Sequence, residues 1–227
     1  MRRLTQAERT ELSDRRMVEA AIRLIVERGI SRTKLTDVGM QAGYSRGLAA
    51  MRFGTKAGLL SQVVRFTLSN WIAQARRTVG SKTGLAAVYA AIDAQDEWSQ
   101  ASSVEMRALY GVFFHSTDPG AEYRANVART LSAQRRELAN WIREARDVGE
   151  LPADTHPERE ARQILCAMLG IVYQWMMDPS LDAHAMHSAL KQDLVALYSA
   201  REAHPAAVQG KLSKRRSRSA ASRSQNL

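Results

Sequence analysis

The sequence runs to 227 residues, 45% of them hydrophobic, with a net charge of +10. That length admits one or two domains with a sizeable core. No apolar run approaches the roughly 20 residues a bilayer requires, and the N-terminus carries no signal-peptide apolar stretch, so neither a membrane protein nor an exported one is expected. A lone cysteine, Cys166, excludes an internal disulfide framework and fits a reducing cytoplasm.

The charge is unevenly spread. Residues 1–56 hold 12 Lys/Arg against 6 Asp/Glu, residues 57–204 hold 15 against 17, and residues 205–227 hold 6 basic and no acidic residues. A basic module, a slightly acidic body and a basic tail point to a localised surface for a polyanion.

In chain order, residues 1–13 read as a polar, flexible arm with Arg2 and Arg3 near its start. Asp14 is placed to cap a helix to about Arg28, with Met17, Ala21, Leu24 and Ile25 on its apolar face and Gly29 as its stop. Thr33 is placed to cap a second short helix carrying Leu35, Val38 and Ala42. Gly43 supplies the freedom a tight turn requires, and Ser45 is placed to cap a third helix through Phe53. Two short helices joined by a glycine turn form the helix-turn-helix pattern, whose second helix can enter the DNA major groove.

Thr55 is placed to cap a long helix from Lys56 to about Arg77, apolar nearly all round, which joins the small domain to the body. The body continues as helices over about 85–98, 104–115, from Asp118-Pro119 to about Asp147, 157–177 and 182–201. Pro157 suits a first turn, and Asp178-Pro179 ends the apolar helix before it. No alternating strand pattern or internal repeat appears, so the fold class is all-α. The expected domains are the arm (1–13), the helix-turn-helix domain (14–56), a ligand-binding and dimerisation domain (57–204) and a disordered basic tail (205–227).

The N-terminal third resembles the tetracycline-repressor (TetR) family of bacterial regulators. The resemblance rests on Ala20-Ala21 and Glu27-Arg28-Gly29, on Thr33, Thr36-Asp37-Val38 and Ala42-Gly43-Tyr44-Ser45-Arg46-Gly47 across the turn, and on Phe53-Gly54-Thr55-Lys56-Ala57-Gly58-Leu59-Leu60. The Phe53/Lys56/Leu59 extension is more than a bare helix-turn-helix implies. Gly170 to Pro179 is similar, more weakly, to the end of the penultimate helix of many members. The resemblance implies a homodimer that binds palindromic double-stranded DNA with its small domain. It also implies a small-molecule ligand in the larger domain and dimerisation through the last two long helices. The recognition helix and one residue of the helix before it depart from the family pattern. Ala50, Met51 and Arg52 stand where members usually carry a Tyr near 50 and a His at 52, and Gly39 replaces a usual alanine.

Arg46 is the leading base-reading candidate, because a guanidinium can bind guanine O6 and N7 bidentately. Tyr44 suits a thymine methyl or a phosphate, and Gly47 allows close approach to the backbone. Thr33, Thr36, Arg52 and Lys56 are phosphate-side candidates, and Ser45 combines a capping role with that surface. In the body, Trp98, Met106, Tyr110, Phe113, Phe114, Trp141, Tyr173 and Trp175 are candidates to line a ligand pocket, against ordinary core packing for any one of them. Leu165, Met168, Leu169 and Val172 with Leu190, Leu194 and Leu197 offer two apolar helices for a four-helix dimer interface. His184 and His187 sit three apart but lack further ligands, so no metal and no cofactor is expected.

The expected function is a ligand-responsive transcriptional regulator, a repressor released from its operator by a small molecule. A non-specific nucleic-acid-binding protein using the basic tail is the alternative. An all-α enzyme is less supported, since no nucleophile–base set, paired carboxylates or metal quartet stands at meaningful spacing.

Overall fold

A computed structural model describes residues 5–117 and 122–203, with the backbone alone for 200–203. Among the described residues the chain forms α1 (Gln6–Arg28), α2 (Leu35–Gln41), α3 (Leu48–Phe53), α4 (Lys56–Val79), α5 (Gly84–Ala101), α6 (Ser103–His115), α7 (Arg124–Asp147), α8 (Pro157–Met177) and α9 (Ala183–Ala203). No helix among them is long and apolar enough to cross a membrane. Arg2, Arg3, Asp118-Pro119 and the basic tail 205–227 lie outside the described residues.

The N-cap of the first helix lies nine residues before the expected one, at Thr5 rather than Asp14. Thr5 caps it through a reciprocal box: its hydroxyl accepts from the Glu8 N–H at 3.2 Å, and its own N–H donates to Glu8 Oε2 at 2.7 Å. Two orphan donors are satisfied there, so the helix runs through Asp14 and residues 6–13 of the expected arm are helical. Thr33 also acts at the other end from the one expected. Its hydroxyl donates to Gly29 O at 2.9 Å, closing the C-terminus of α1, while Lys34 takes the N-cap position of α2 without a side-chain bond. The third helix opens at Leu48 rather than at Ser45. The Ser45 carbonyl, not its hydroxyl, accepts the Leu48 N–H at 3.2 Å, which leaves residues 45–47 as a turn. Thr55 caps α4 as expected, accepting from the Gly58 N–H at 3.0 Å.

Two main cores organise the molecule. The first joins Met17, Leu24 and Ile25 of α1 with Val38, Ala49 and Leu59, Leu60, Val63 and Val64 of α4, and continues into Met106, Leu109 and Phe113 of α6. The small domain therefore shares its core with the body, which suits a unit near the lower size limit for independent stability. The second core joins Val88 and Ile92 of α5, Leu138 and Ile142 of α7, Ile164, Leu165 and Met168 of α8, and Leu194 and Tyr198 of α9.

A polar seam crosses the body beside these cores. Gln95 Nε2 donates to Tyr110 Oη at 2.9 Å, and Gln95 Oε1 lies 3.0 Å from His187 Nε2. His187 Nδ1 faces Ala183 O at 2.7 Å, and His184 Nδ1 lies 2.6 Å from Asp96 Oδ2. Burial holds His187 below the usual histidine range, whereas the Asp96 carboxylate hydrogen-bonded to His184 raises that ring above it. Burial likewise pushes the Tyr110 phenol up.

Candidate nucleic-acid interface

The turn between α2 and α3 is fastened from inside. Val38 and Ala49 are fully buried, one on each short helix. The Tyr44 N–H donates to Gly39 O at 2.9 Å, and Gly43 takes φ +81°. A Cβ at Gly39 would stand 2.5 Å from Ser45 O, a backbone atom. Glycine here is thus a packing requirement of this turn: the peptide of Ser45 lies directly on the α2 backbone, where the family's usual alanine would intrude.

This fastening presents one exposed surface. Ser45, Arg46, Gly47 and Ala50 are all exposed, and Arg46 has no ion-pair or hydrogen-bond partner among the described residues. Gly47, Ala50 and Met51 follow one another at helical spacing. Met51 is 72% exposed although it is a large apolar group on a helix beside the core. The sequence reading passed over it as a departure from pattern; its mismatch with the buried phase of Ala49 was the available signal. Tyr44 is half-buried and packs against the first core.

The phosphate-side candidates divide. Thr36 is exposed in the first turn of α2, its hydroxyl 3.4 Å from Asp37 Oδ1. Lys34, not singled out from sequence, is exposed beside it. The Lys56 ammonium donates to Ser31 O at 2.9 Å, and burial lowers its pKa from the ordinary lysine value. Thr33 is withdrawn as a contact: it is 2% exposed and its hydroxyl is committed to Gly29. Arg52 is also committed elsewhere. Its Nη2 donates to Thr10 Oγ1 at 3.0 Å and its Nε lies 3.3 Å from Asp14 Oδ1, so it ties α3 to the newly found first turns of α1.

In the body, Trp98, Met106, Tyr110 and Phe113 are buried core, the outcome expected of large groups on helix faces that meet other helices. Phe114 and Tyr173 stack edge to face at 5.1 Å, and Trp175 lies beneath Arg107. Only Trp141 of the eight pocket candidates lines the cleft between α4 and α7, whose volume is about 700 Å³. Trp71, Leu68, Ile72 and Ala133 supply its other apolar walls, with Arg76 and Lys82 at one end and Glu137 on α7.

Four of the seven dimer candidates, Leu165, Met168, Val172 and Leu194, are buried within the chain itself. They pack α8 and α9 onto the body, and Leu169 and Leu190 are half-buried against the same core. Leu197 remains 42% exposed. The outward face of α8 is instead Cys166, Gly170, Tyr173 and Met177, three or four residues apart, with Tyr173 47% exposed.

Comparison with known proteins bears on this arrangement. A family model described as bacterial regulatory proteins, tetR family, matches residues 17–63, the stretch from α1 into α4. The transcriptional regulator BetI of Burkholderia thailandensis is 30% identical over 141 residues, 60% of this chain and 72% of BetI. The chain belongs to the tetR family. As a TetR-family protein it is a DNA-binding transcriptional regulator in a family that is not enzymatic. The fold agrees over most of the chain. SmeT, repressor of the Stenotrophomonas maltophilia multidrug efflux pump SmeDEF, superposes with a TM-score of 0.67 at 20% identity, over 81% of this chain and 89% of SmeT. FadR of Bacillus subtilis, in complex with stearoyl-CoA, superposes with a TM-score of 0.69 at 16% identity, over 78% of this chain and 95% of FadR.

Proposed function

We propose that this TetR-family regulator acts as a homodimeric repressor, with residues 6–56 as its DNA-binding unit and residues from 57 to the end of α9 as its sensing and pairing unit. Two α3 helices enter successive major grooves of a palindromic operator, roughly 34–36 Å apart. The observation that carries this reading is Arg46, exposed and unpaired among the described residues, in the turn that leads into α3 and is locked by Gly39. Arg46 reads guanine, Met51 meets a thymine methyl, and Thr36 and Lys34 hold phosphate. The protein works where its operator lies, in the cytoplasm.

Pairing uses the outward face of α8 around Gly170 and Tyr173, together with Leu197 on α9. The α4–α7 cleft takes the ligand, with an apolar body between Trp71 and Trp141. The stearoyl-CoA bound by FadR supports a ligand of that kind here. Because α4 begins at the helix-turn-helix and ends at this cleft, a ligand that prefers one setting of α4 shifts the dimer away from the DNA-competent spacing.

Selection of bound sequences from a random duplex pool, with excess competitor DNA, tests this reading. An enriched inverted repeat that is retained as salt is raised is expected. Binding without an enriched motif, lost steeply with salt, would instead assign the affinity to the basic tail.

A further inference from the structure

A second cleft, of about 410 Å³, lies where the end of α1 meets α6 and the end of α8. It shares no lining residue with the α4–α7 cleft. Among the described residues no acidic one lines it, whereas Arg28, Arg107 and His115 all do. The Arg107 guanidinium lies 4.1 Å over the Trp175 ring. It is half-buried, and no carboxylate pairs with it among the described residues. A guanidinium held over an indole face by cation–π attraction keeps N–H donors available for an anion. Arg28, across the cleft, pairs among the described residues with its neighbour Glu27, at 3.3 Å, in an exposed pair.

Gly111 is the second sign. It stands in the interior of α6, where glycine is among the poorest helix formers. A Cβ there would meet nothing within 4 Å, so packing does not demand the glycine. What its missing side chain provides is room in the cleft.

We propose that this junction cleft binds a small organic anion with a flat apolar body. The anionic group rests between Arg107 and Arg28, and the body lies over Gly111 against Val26 and Met176. One wall belongs to the DNA-binding unit and the other to the body, so an occupant bridges the joint between them. By linkage, such an anion and the operator change each other's affinity by the same factor.

Calorimetric titration of the full chain with naphthoate, and with neutral naphthamide as its isostere, tests this. Naphthoate binds saturably and the amide binds about tenfold or more weakly, as expected for a charge-assisted contact. Arg107→Gln and Gly111→Leu each cost naphthoate a similar factor while melting like the wild type. Arg107→Lys, which keeps the charge but loses the planar fork, recovers part of it. Ala75→Phe, placed in the α4–α7 cleft, leaves the affinity unchanged. The proposal is overturned by an absence of saturable binding, by equal affinity for the amide, by indifference to both Arg107→Gln and Gly111→Leu, or by a loss that follows Ala75→Phe instead.

Discussion

Replacing Gly39 with alanine sets two effects of opposite sign against each other in the centre of the DNA-binding turn. Alanine improves the helical propensity of α2 by about 1 kcal/mol. Against that gain, the new methyl carbon would stand 2.5 Å from Ser45 O, and the obstacle is backbone, which cannot swing aside as a side-chain tip can. Relief requires the Ser45 peptide to retreat by several tenths of an ångström. Overpacking of this kind costs about 1–3 kcal/mol, and stretching the Tyr44 N–H to Gly39 O bond costs a further ~0.5–1 kcal/mol. The net expectation is a loss of about 1–2 kcal/mol, or a melting temperature lower by about 2–8 °C for a chain of this size. The same displacement carries Arg46, whose Cα is 3.7 Å from the added carbon, so operator affinity falls as well. Thermal melting and gel-shift titration at one fixed salt concentration read the two effects. A Gly39→Ala protein that melts at or above the wild type with unchanged DNA affinity would refute the close-packed turn.

Arg46→Ala should weaken operator binding by about 1–3 kcal/mol and leave melting unchanged; equal gel-shift midpoints would remove Arg46 from the interface. Lys34→Ala should reduce the slope of log affinity against log salt by about 1, whereas Arg52→Ala should leave that slope alone and lower stability by about 0.5–1 kcal/mol, since its partners are Asp14 and Thr10. Asp96→Asn should lower the His184 titration midpoint toward the ordinary histidine value, as followed by ring-proton NMR. Because folding raises that pKa, the stabilisation from protonated His184 is present below the unfolded value of about 6.5 and disappears as pH rises through the raised one, so the substitution flattens stability in that window. Tyr173→Asp should convert a sedimenting dimer to monomer and speed alkylation of Cys166 on the same face of α8; a wild type that is already monomeric at micromolar concentration contradicts the pairing.

How far these features could be read in advance depended on whether the responsible force leaves a periodic trace. The bounds of α8 were readable because Pro157 and Asp178-Pro179 bracket an apolar run. The first turns of α1 were not, because they face solvent and carry no apolar period; only the Thr5–Glu8 box marks them. Thr33 was identified as a capping hydroxyl, but residue type does not say which of two adjacent helix ends it serves. Arg52 was read as a phosphate contact; its tie to Thr10 and Asp14 joins residues about 40 apart in sequence and leaves no local trace. Leu165, Met168 and Leu194 are apolar and buried within the chain, and hydrophobicity alone cannot distinguish that from burial against a second copy. The large aromatic groups illustrate a related ambiguity: those big enough to line a cavity are also the ones that fill it.

The shared first core has a consequence for how the protein is made. Leu24 and Ile25 of α1 lie in one cluster with Met106 and Leu109 of α6, about 80 residues later in the chain. During vectorial synthesis the N-terminal helices leave the ribosome well before α6 can cover them. The nascent chain therefore holds its DNA-binding helices with an open apolar flank, and they reach their final packing only when the sixth helix emerges. A chain ended before that point is expected to bind DNA poorly, since Leu24 and Ile25 then lack their cover from Met106 and Leu109.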